Sequence, residues 1–293
     1  MLKAAGITDP TLQTAYRTCR VLHARHGRSY YLATLLLPRW KRPYVHALYG
    51  FARYADEIVD NGSPETRAQE FAAWRDRAIA GLRGDDATDA VATALRHTMR
   101  RWDIPMAHVE AFLASMAADL TVADYPTYDD LRQYMYGSAA VIGLQMLPIL
   151  EPLTDEAREP ARALGEAFQL TNFIRDVGED LERGRIYLPA EDLGRFGVTR
   201  ESMSAGQAGA EFKDLLRFQI ARARRLYEVA AEGIPMLHPS SRPCIEAAFA
   251  LYGGILRAVE EADYRVLDRR VGVGVPDRIR LVSTAWRQSR RWR

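Results

Sequence analysis

Cysteine is scarce in this 293-residue chain, which contains only Cys19 and Cys244, far apart in the sequence. Two isolated cysteines without metal-ligand spacing exclude a disulfide framework and argue against a zinc site. We therefore expect both to be free, buried thiols in a protein of a reducing compartment.

Long apolar runs are also lacking. The longest, residues 139–150, is interrupted by Gln145 and Pro148 and is shorter than the about 20 residues that span a membrane. Residues 1–10 contain no apolar core of signal-peptide length. These absences predict a cytoplasmic protein that is at most peripherally attached to a membrane.

A marked excess of charge of either sign is absent as well. Lysine and arginine together number 40 and aspartate and glutamate 38, so the formal net charge is only +2. A balance so near zero argues against nucleic acid as a partner. Residues 278–293 are nevertheless rich in arginine, a pattern typical of a solvated helix face or, alternatively, of a helix that contacts an anionic membrane surface.

Neither alternating strand patterns nor low-complexity linkers occur in the chain, and helical periodicity dominates. Capping residues followed by proline or acidic residues predict helix starts at Asp9, Ser63 and Thr154. The chain is long enough, and at 48% apolar residues rich enough, to build a sizeable core. We predict an all-α protein in which residues 1–293 form one domain of helices packed around a central cavity.

One pair of acidic residues, Asp56 and Asp60, is spaced i and i+4 and therefore shares a helix face with Arg53, while Tyr49 lies nearby. Apolar neighbours such as Ile58 indicate that this helix is at least partly buried. Two carboxylates that face a buried space require a cation. Oxygen ligands favour a hard ion such as Mg²⁺, held together with substrate phosphates.

A second pair, Asp176 and Asp180, continues a polar stripe that starts with Gln169 and Asn172 at spacings i, i+3, i+7 and i+11. The stripe runs about three turns along an otherwise apolar helix, which is costly unless the polar groups meet a ligand or partners. For either pair alone, a solvated helix face with intrahelical salt bridges is the commoner explanation. Two pairs, each beside an arginine, favour a bound diphosphate, because a guanidinium binds two phosphate oxygens at once.

Metal ions and arginines around a diphosphate promote its departure, because they stabilise the charge that develops on the leaving group. The allylic cation that remains requires a dry cavity lined by apolar and aromatic residues, since water would quench it. Residues 134–143 are rich in small and aromatic side chains, which suits either such a cavity wall or close helix packing.

Five sequence blocks together resemble the squalene/phytoene synthase family, and most closely its bacterial phytoene synthases. The blocks read HGRSYYLATLLLP, HALYGFARYADEIVD, YMYGSAAVIGLQMLP, QLTNFIRDVGEDLERGRIYLP and SSRPCIEAAFALYGGILRAVEEADYRVLDRR. The resemblance covers nearly the whole chain. It implies an isoprenoid-synthase helical bundle that binds two allylic diphosphates in one cavity together with Mg²⁺, for which Mn²⁺ sometimes substitutes.

The resemblance also implies roles for individual residues by matching positions. The implied metal ligands are Asp56, Asp60, Asn172, Asp176 and Asp180. The implied diphosphate-binding residues are Ser29, Arg53, Arg175, Tyr252 and Arg269. The implied pocket residues are His26, Tyr49 and Gln169. Tyr134 would act with the four aspartates in catalysis, as a hydrogen-bond donor or proton carrier near the leaving group.

The reaction implied is the head-to-head (1′–1) condensation of two geranylgeranyl diphosphates to phytoene through a cyclopropyl diphosphate. Two alternatives stay open within the fold. One is condensation of farnesyl diphosphate to squalene or dehydrosqualene, with NADPH needed only for squalene. The other is prenylation of an aromatic small-molecule acceptor, suggested by Ala117 and Ala118, where related phytoene synthases often carry an arginine and a bulky methionine. A non-catalytic helical partner protein is a further alternative, but retention of all four aspartates argues against it.

Overall fold

The computed structural model describes residues 1–84, 89–206, 209–274, 277–278, 285 and 287. Within these residues the protein is helical, with no strand and only isolated bridges between extended segments, which confirms the predicted all-α class. The α-helices are α1 (Pro10–His26), α2 (Arg28–Thr34), α3 (Arg42–Asn61), α4 (Arg67–Arg83), α5 (Ala90–Trp102), α6 (Met106–Ala118), α7 (Tyr128–Met135), α8 (Val141–Leu150), α9 (Arg158–Arg175), α10 (Val177–Glu182), α11 (Ala190–Phe196), α12 (Arg200–Ser204), α13 (Ala210–Gly233) and α14 (Arg242–Glu261).

Two of the three predicted helix starts are confirmed. Asp9 precedes α1, and its carboxylate accepts a hydrogen bond from the backbone N–H of Leu12 at 2.7 Å. Thr154 caps the short 3₁₀ turn Asp155–Ala157, which leads directly into α9. In both cases a side-chain oxygen satisfies an N–H group that has no partner within the helix.

The third predicted start, with Ser63 as the cap, is wrong by three residues, since the residue that precedes α4 is Thr66. The Ser63 hydroxyl donates to the carboxylate of Glu65 instead of capping a helix. Its carbonyl accepts from the backbone N–H of Arg67 at 2.8 Å, so that residues 63–67 form a turn before the helix. Serine is a common capping residue, but here the nearby carboxylate of Glu65 competes with the backbone for the Ser63 hydroxyl.

The apolar interior consists of two clusters. The first is built mainly from α1, α3, α5, α6 and α8, and the second mainly from α7, α9, α13 and α14. Leu164 and Phe168 on α9 pack against both clusters. Cys19 and Cys244 are free and buried as expected, and burial raises the pKa of each thiol to about 12.

A π-helical turn, Tyr136–Ala140, separates α7 from α8 and lies against α6. A Cβ atom on Gly137 would lie 2.2 Å from Ser115 Oγ and 2.3 Å from the Ala111 carbonyl oxygen, so only glycine allows this approach. The Ser115 hydroxyl donates to the Tyr134 carbonyl at 2.9 Å. The small residues predicted for this segment therefore permit close helix packing, and such π turns often mark functional sites.

None of the described helices combines the length and the apolar character that a bilayer-crossing segment needs. The arginine-rich segment 278–293, for which a membrane contact was one interpretation, lies outside the described residues except for Arg278, Ala285 and Arg287.

Candidate active site

A large cavity and a narrower one meet inside the helical bundle. The larger has a volume of about 750 Å³ and is lined by many charged side chains; we call it the polar chamber. The narrower has a volume of about 270 Å³ and mostly aliphatic walls; we call it the apolar tunnel. The residues that line both are Tyr30, Tyr49, Ala52, Ser138, Ile142 and Gln169. A ligand with a charged head and a hydrocarbon chain fits this division.

Nearly all of the site residues predicted from the sequence line the polar chamber. They are His26, Ser29, Tyr49, Arg53, Asp56, Asp60, Tyr134, Gln169, Asn172, Arg175, Asp176, Asp180 and Tyr252. The exception is Arg269, which is exposed and lies outside the chamber wall. Its neighbour Arg270 lines the chamber, with its Nε atom 3.1 Å from Asp176 Oδ1. The chain is irregular after α14, so a match of positions did not determine which of the two side chains faces inward.

The first aspartate pair lies on α3, as its spacing predicts. Arg53, one turn earlier on the same helix, forms a salt bridge with Asp56. Asp60 accepts hydrogen bonds from Arg183 and Arg185, each at 2.8 Å, and both arginines come from the segment after α10. This pair is therefore held by one local arginine and two arginines that are distant in sequence.

The second pair lies at a break between two helices. α9 ends at Arg175 and α10 begins at Val177, because Asp176 has φ −101° and ψ 15°. The Asp180 N–H still donates to the Asp176 carbonyl at 2.9 Å, so the polar stripe stays aligned across the break. Asp176 accepts from Arg175 Nε at 2.7 Å. Within the described residues the Asp180 carboxylate has neither a hydrogen bond nor a salt bridge.

Two carboxylates of the chamber have raised pKa values, and burial is the main cause of each shift. Burial, reinforced by the charge of Asp60, raises the pKa of Asp56 to about 6. Burial, reinforced by the charge of Asp176, raises the pKa of Asp180 to about 7. A cation near these groups would favour their ionised forms.

The donor set of the chamber fits a hard divalent cation that is shared with a ligand. Among the described residues, no group of three or more His, Cys, Asp or Glu side chains is close enough to hold a metal alone. However, Asn172 Oδ1 is buried without a hydrogen-bond partner among the described residues, and Asn172 lines the same chamber as Asp56 and Asp180. Such oxygens suit an ion that completes its coordination with phosphate oxygens and water.

Several cationic side chains of the chamber were missed by the sequence analysis. Arg25 and Arg28 flank the junction of α1 and α2 and line the chamber wall, as do Arg183 and Arg185. The only signal for Arg183 and Arg185 was their closeness to Asp180 within one block. Arg28 stands next to Ser29 in a block that resembles the family, but Arg25 in the last turn of α1 has no such signal.

Aromatic rings separate the polar chamber from the apolar tunnel. The Tyr252 ring stacks on Tyr30 at 4.6 Å between centroids and lies 4.5 Å from Phe168. Tyr49 is fixed by the junction of α1 and α2, because a Cβ atom on Gly27 would lie only 2.5 Å from its ring. Aromatic faces at this position are suited to a nearby cation.

Ala117 and Ala118, the sequence hint for an aromatic acceptor, line neither cavity of the described structure. Ala117 packs against the first hydrophobic cluster and Ala118 against the second. Their small size is therefore explained by packing and gives no support to an altered acceptor pocket.

Comparison with known proteins agrees with this site. The sequence model of the squalene/phytoene synthase family matches residues 23–277. The chain belongs to this family. Membership confirms the predicted family and identifies the protein as a prenyltransferase.

Two bacterial phytoene synthases and two solved structures are similar to this chain over most of their lengths. A 15-cis-phytoene synthase of Synechocystis sp. is 34% identical over 288 residues, covering 94% of this chain and 86% of that protein. A phytoene synthase of Arthrospira platensis is 35% identical, covering 91% and 90%. A dehydrosqualene synthase crystal structure superposes with a TM-score of 0.86 at 29% identity, covering 94% of this chain and 96% of that one. The squalene synthase HpnC from Alicyclobacillus acidocaldarius gives 0.77 at 27% identity, covering 89% and 98%.

Proposed function

We propose that this enzyme condenses two geranylgeranyl diphosphates head to head, giving phytoene and two diphosphates through a cyclopropyl diphosphate. The observation that carries the proposal is the single cavity in which two aspartate pairs and several arginines adjoin an apolar tunnel. The phytoene synthases at 34% and 35% identity support the choice of substrate and product.

The arginines of the chamber bind and orient the diphosphate groups. Arg53 on α3 and Arg175 on α9 reach the same chamber from two different helices. Arg28 and Ser29, in the first turn of α2, contribute a guanidinium and a hydroxyl at the same chamber. Guanidinium groups suit this task, because their fixed donors match pairs of phosphate oxygens.

A divalent cation, for which Mg²⁺ is the natural candidate, would be held by five oxygen-bearing residues: Asp56, Asp60, Asn172, Asp176 and Asp180. When bound, such ions neutralise the diphosphate and stabilise it as a leaving group. NADPH has no role in the proposed reaction, since phytoene forms by loss of a proton.

The apolar tunnel holds the hydrocarbon chain and keeps water from the allylic cation. Its walls include Leu48, Met146, Leu164 and Phe168. The aromatic rings of Tyr30 and Tyr252 lie where the tunnel meets the chamber. A substrate with its diphosphate in the chamber and its chain in the tunnel would place the ionising carbon beside these rings. A cation formed there is surrounded by apolar and aromatic groups rather than by solvent.

The length of the prenyl chain that the enzyme accepts distinguishes this proposal from its nearest alternative, condensation of farnesyl diphosphate. The dehydrosqualene synthase that superposes at a TM-score of 0.86 favours, as a second candidate, a reaction that joins two farnesyl chains. The two candidates share the polar chamber and differ in the hydrocarbon that the tunnel must accept.

The test is an incubation of the full-length protein with Mg²⁺ and geranylgeranyl diphosphate, and in parallel with farnesyl diphosphate with and without NADPH. Extracts are analysed by mass spectrometry. We expect a C40 hydrocarbon from the incubation with geranylgeranyl diphosphate. A C30 hydrocarbon only from farnesyl diphosphate would replace the proposal with the second candidate, and prenyl alcohols without any coupled product would refute both.

The product is a hydrocarbon without polar groups, so its release requires a lipid phase. We propose that the enzyme works in the cytoplasm and contacts membranes peripherally. Co-sedimentation with liposomes of anionic lipid tests this contact, and a protein that stays in the supernatant at low salt would refute it.

A further inference from the structure

Asp119, which the sequence analysis did not single out, joins two tyrosines at the wall of the polar chamber. It follows α6 directly and is only 8% exposed. Its Oδ2 atom accepts a hydrogen bond from Tyr134 at 2.8 Å, and its Oδ1 atom accepts one from Tyr187 at 2.9 Å. All three residues line the chamber.

The direction of these hydrogen bonds fixes what Tyr134 can offer to a ligand. An ionised carboxylate can only accept, and a phenol has only one proton to donate. Burial raises the pKa of Asp119 to about 6, while the bonds from the two phenols and the nearby Arg185 favour ionisation. At neutral pH both phenols therefore donate to Asp119. Tyr134 then faces the chamber with oxygen lone pairs, as an acceptor and not as the donor that its match to the family suggested.

The neighbours of the two tyrosines distinguish their positions. Tyr187 stacks on Phe173 at 4.1 Å, and its hydroxyl is influenced by Arg185 and Asp180, on the diphosphate side of the chamber. Tyr134 precedes the π turn, and Ser138, about one turn later, lines both the chamber and the tunnel. Tyr134 thus stands about one helical turn from a residue at the boundary between the chamber and the tunnel.

The ring of Tyr134 is held firmly in this position. It packs against Tyr125, at 5.2 Å between centroids, and against Tyr187, at 5.7 Å, and these two rings also contact each other. Its backbone carbonyl accepts from the buried hydroxyl of Ser115. A small movement of the hydroxyl is the remaining freedom, and Asp119 removes it.

We propose that Asp119 is a positioning residue that orients Tyr134 as the base for the final proton loss and takes up the displaced phenol proton. This inference rests on the proposed function. In the step, a proton leaves the carbon next to the cationic carbon of the rearranged C40 chain, and the electron pair of that C–H bond becomes the new double bond. The proton passes to Tyr134 Oη as the phenol proton of Tyr134 passes to Asp119 Oδ2. Asp119 returns it to solvent before the next turnover.

The test compares the products of Asp119→Asn, Tyr134→Phe and the double variant with those of wild type. Each protein is incubated with Mg²⁺ and geranylgeranyl diphosphate, and phytoene, C40 cyclopropyl diphosphate, C40 alcohols and released diphosphate are quantified. We expect each single variant to raise the ratio of the other C40 products to phytoene by at least about a hundredfold, the lower end of general-base effects. The double variant should be no worse than either single one, because both remove the same step. Asp119→Glu should restore part of the wild-type ratio.

Tyr125→Phe is the matched control: its ring packs against Tyr134, but its hydroxyl has no hydrogen-bond partner among the described residues, so its loss should leave the product ratio near that of wild type. A slower Asp119→Asn enzyme with the wild-type ratio, or single effects that multiply in the double variant, would overturn the inference. If Asp119→Asn does not fold by circular dichroism, Tyr134→Phe and Asp119→Glu still decide the matter. A wild-type protein that releases no diphosphate and forms no C40 product would instead refute the proposed function itself.

Discussion

Acid is expected to destabilise this protein through a buried pair of histidines, His23 on α1 and His46 on α3. Their Nδ1 atoms are 3.0 Å apart, so one ring donates to the other and both rings are neutral. Both Nε2 atoms are buried without a hydrogen-bond partner among the described residues. Burial lowers the pKa of His23 to about 2 and that of His46 to about 3. The folded protein therefore resists protonation of either ring.

The size of the effect follows from linkage. The unfolded chain binds a proton at each histidine with a pKa of about 6.5, whereas the native state binds none, so stability falls as the pH falls through that value. When the pH is lowered from about 7.5 to about 5.5, each ring lowers the free energy of unfolding by about 1.4 kcal/mol, and the pair lowers it by about 2.7 kcal/mol. This result holds for any native pKa below about 4. It is a large share of the about 5–15 kcal/mol that stabilises a typical domain.

The assay is urea unfolding at both pH values, in EDTA and without ligand, for wild type and for the double variant His23→Phe/His46→Phe. The two apolar rings replace both hydrogen-bonding partners together and keep the aromatic packing against Tyr49 and Tyr31. Carboxylates titrate alike in both proteins and cancel in the comparison. We expect wild type to lose about 2.7 kcal/mol more than the variant over this interval. Equal losses would refute the claim that both rings are neutral in the native state.

Three further predictions concern the aspartates of the chamber, Arg270 and the helix packing at Gly137. Asp56→Ala or Asp176→Ala should each lower turnover by at least about a hundredfold while leaving helical circular dichroism intact, since electrostatic stabilisation of the leaving group is lost; activity within a few-fold of wild type would contradict the assigned roles. Arg270→Ala should raise the apparent KM for prenyl diphosphate by about tenfold, whereas Arg269→Ala should not, because only Arg270 lines the chamber. The reverse order would show that Arg269 binds diphosphate. Gly137→Ala should lower the free energy of unfolding by about 1–3 kcal/mol, because its Cβ would clash with α6, and an unchanged urea midpoint would contradict this packing.

The helical class and the aspartate face of α3 could be predicted because their determinants are local. Asp56 and Asp60 share a face as a consequence of helix geometry alone. Two predictions, a helix start at Ser63 and an unbroken helix through Asp176, were wrong, and the causes are local as well. A side chain found a nearer partner in the first case, and the backbone left helical geometry in the second.

The remaining parts of the site could not be predicted, because they depend on contacts between distant segments. Asp119 lies 68 residues from Tyr187, and Arg185 lies 125 residues from Asp60. No periodicity relates these positions, so only the packing of α6 and of the segment after α10 brings them together. The choice of Arg270 over Arg269 also depends on tertiary structure, since the chain there has no regular pattern.

The salt bridges of the chamber predict that diphosphate and divalent cations bind cooperatively. Arg53 pairs with Asp56, and Arg175 pairs with Asp176. A diphosphate alone must take these arginines from their carboxylates and leave buried negative charges without partners, and a cation alone must leave the arginines unpaired. Bound together, the two ligands exchange these pairs for arginine–phosphate and carboxylate–cation contacts, so each should strengthen the binding of the other by the same factor. Thermal unfolding with Mg²⁺, with inorganic pyrophosphate and with both measures this coupling. We expect the combined rise in Tm to exceed the sum of the separate rises, whereas additive shifts would show that the chamber binds the two ligands independently and that its arginines are not shared between them.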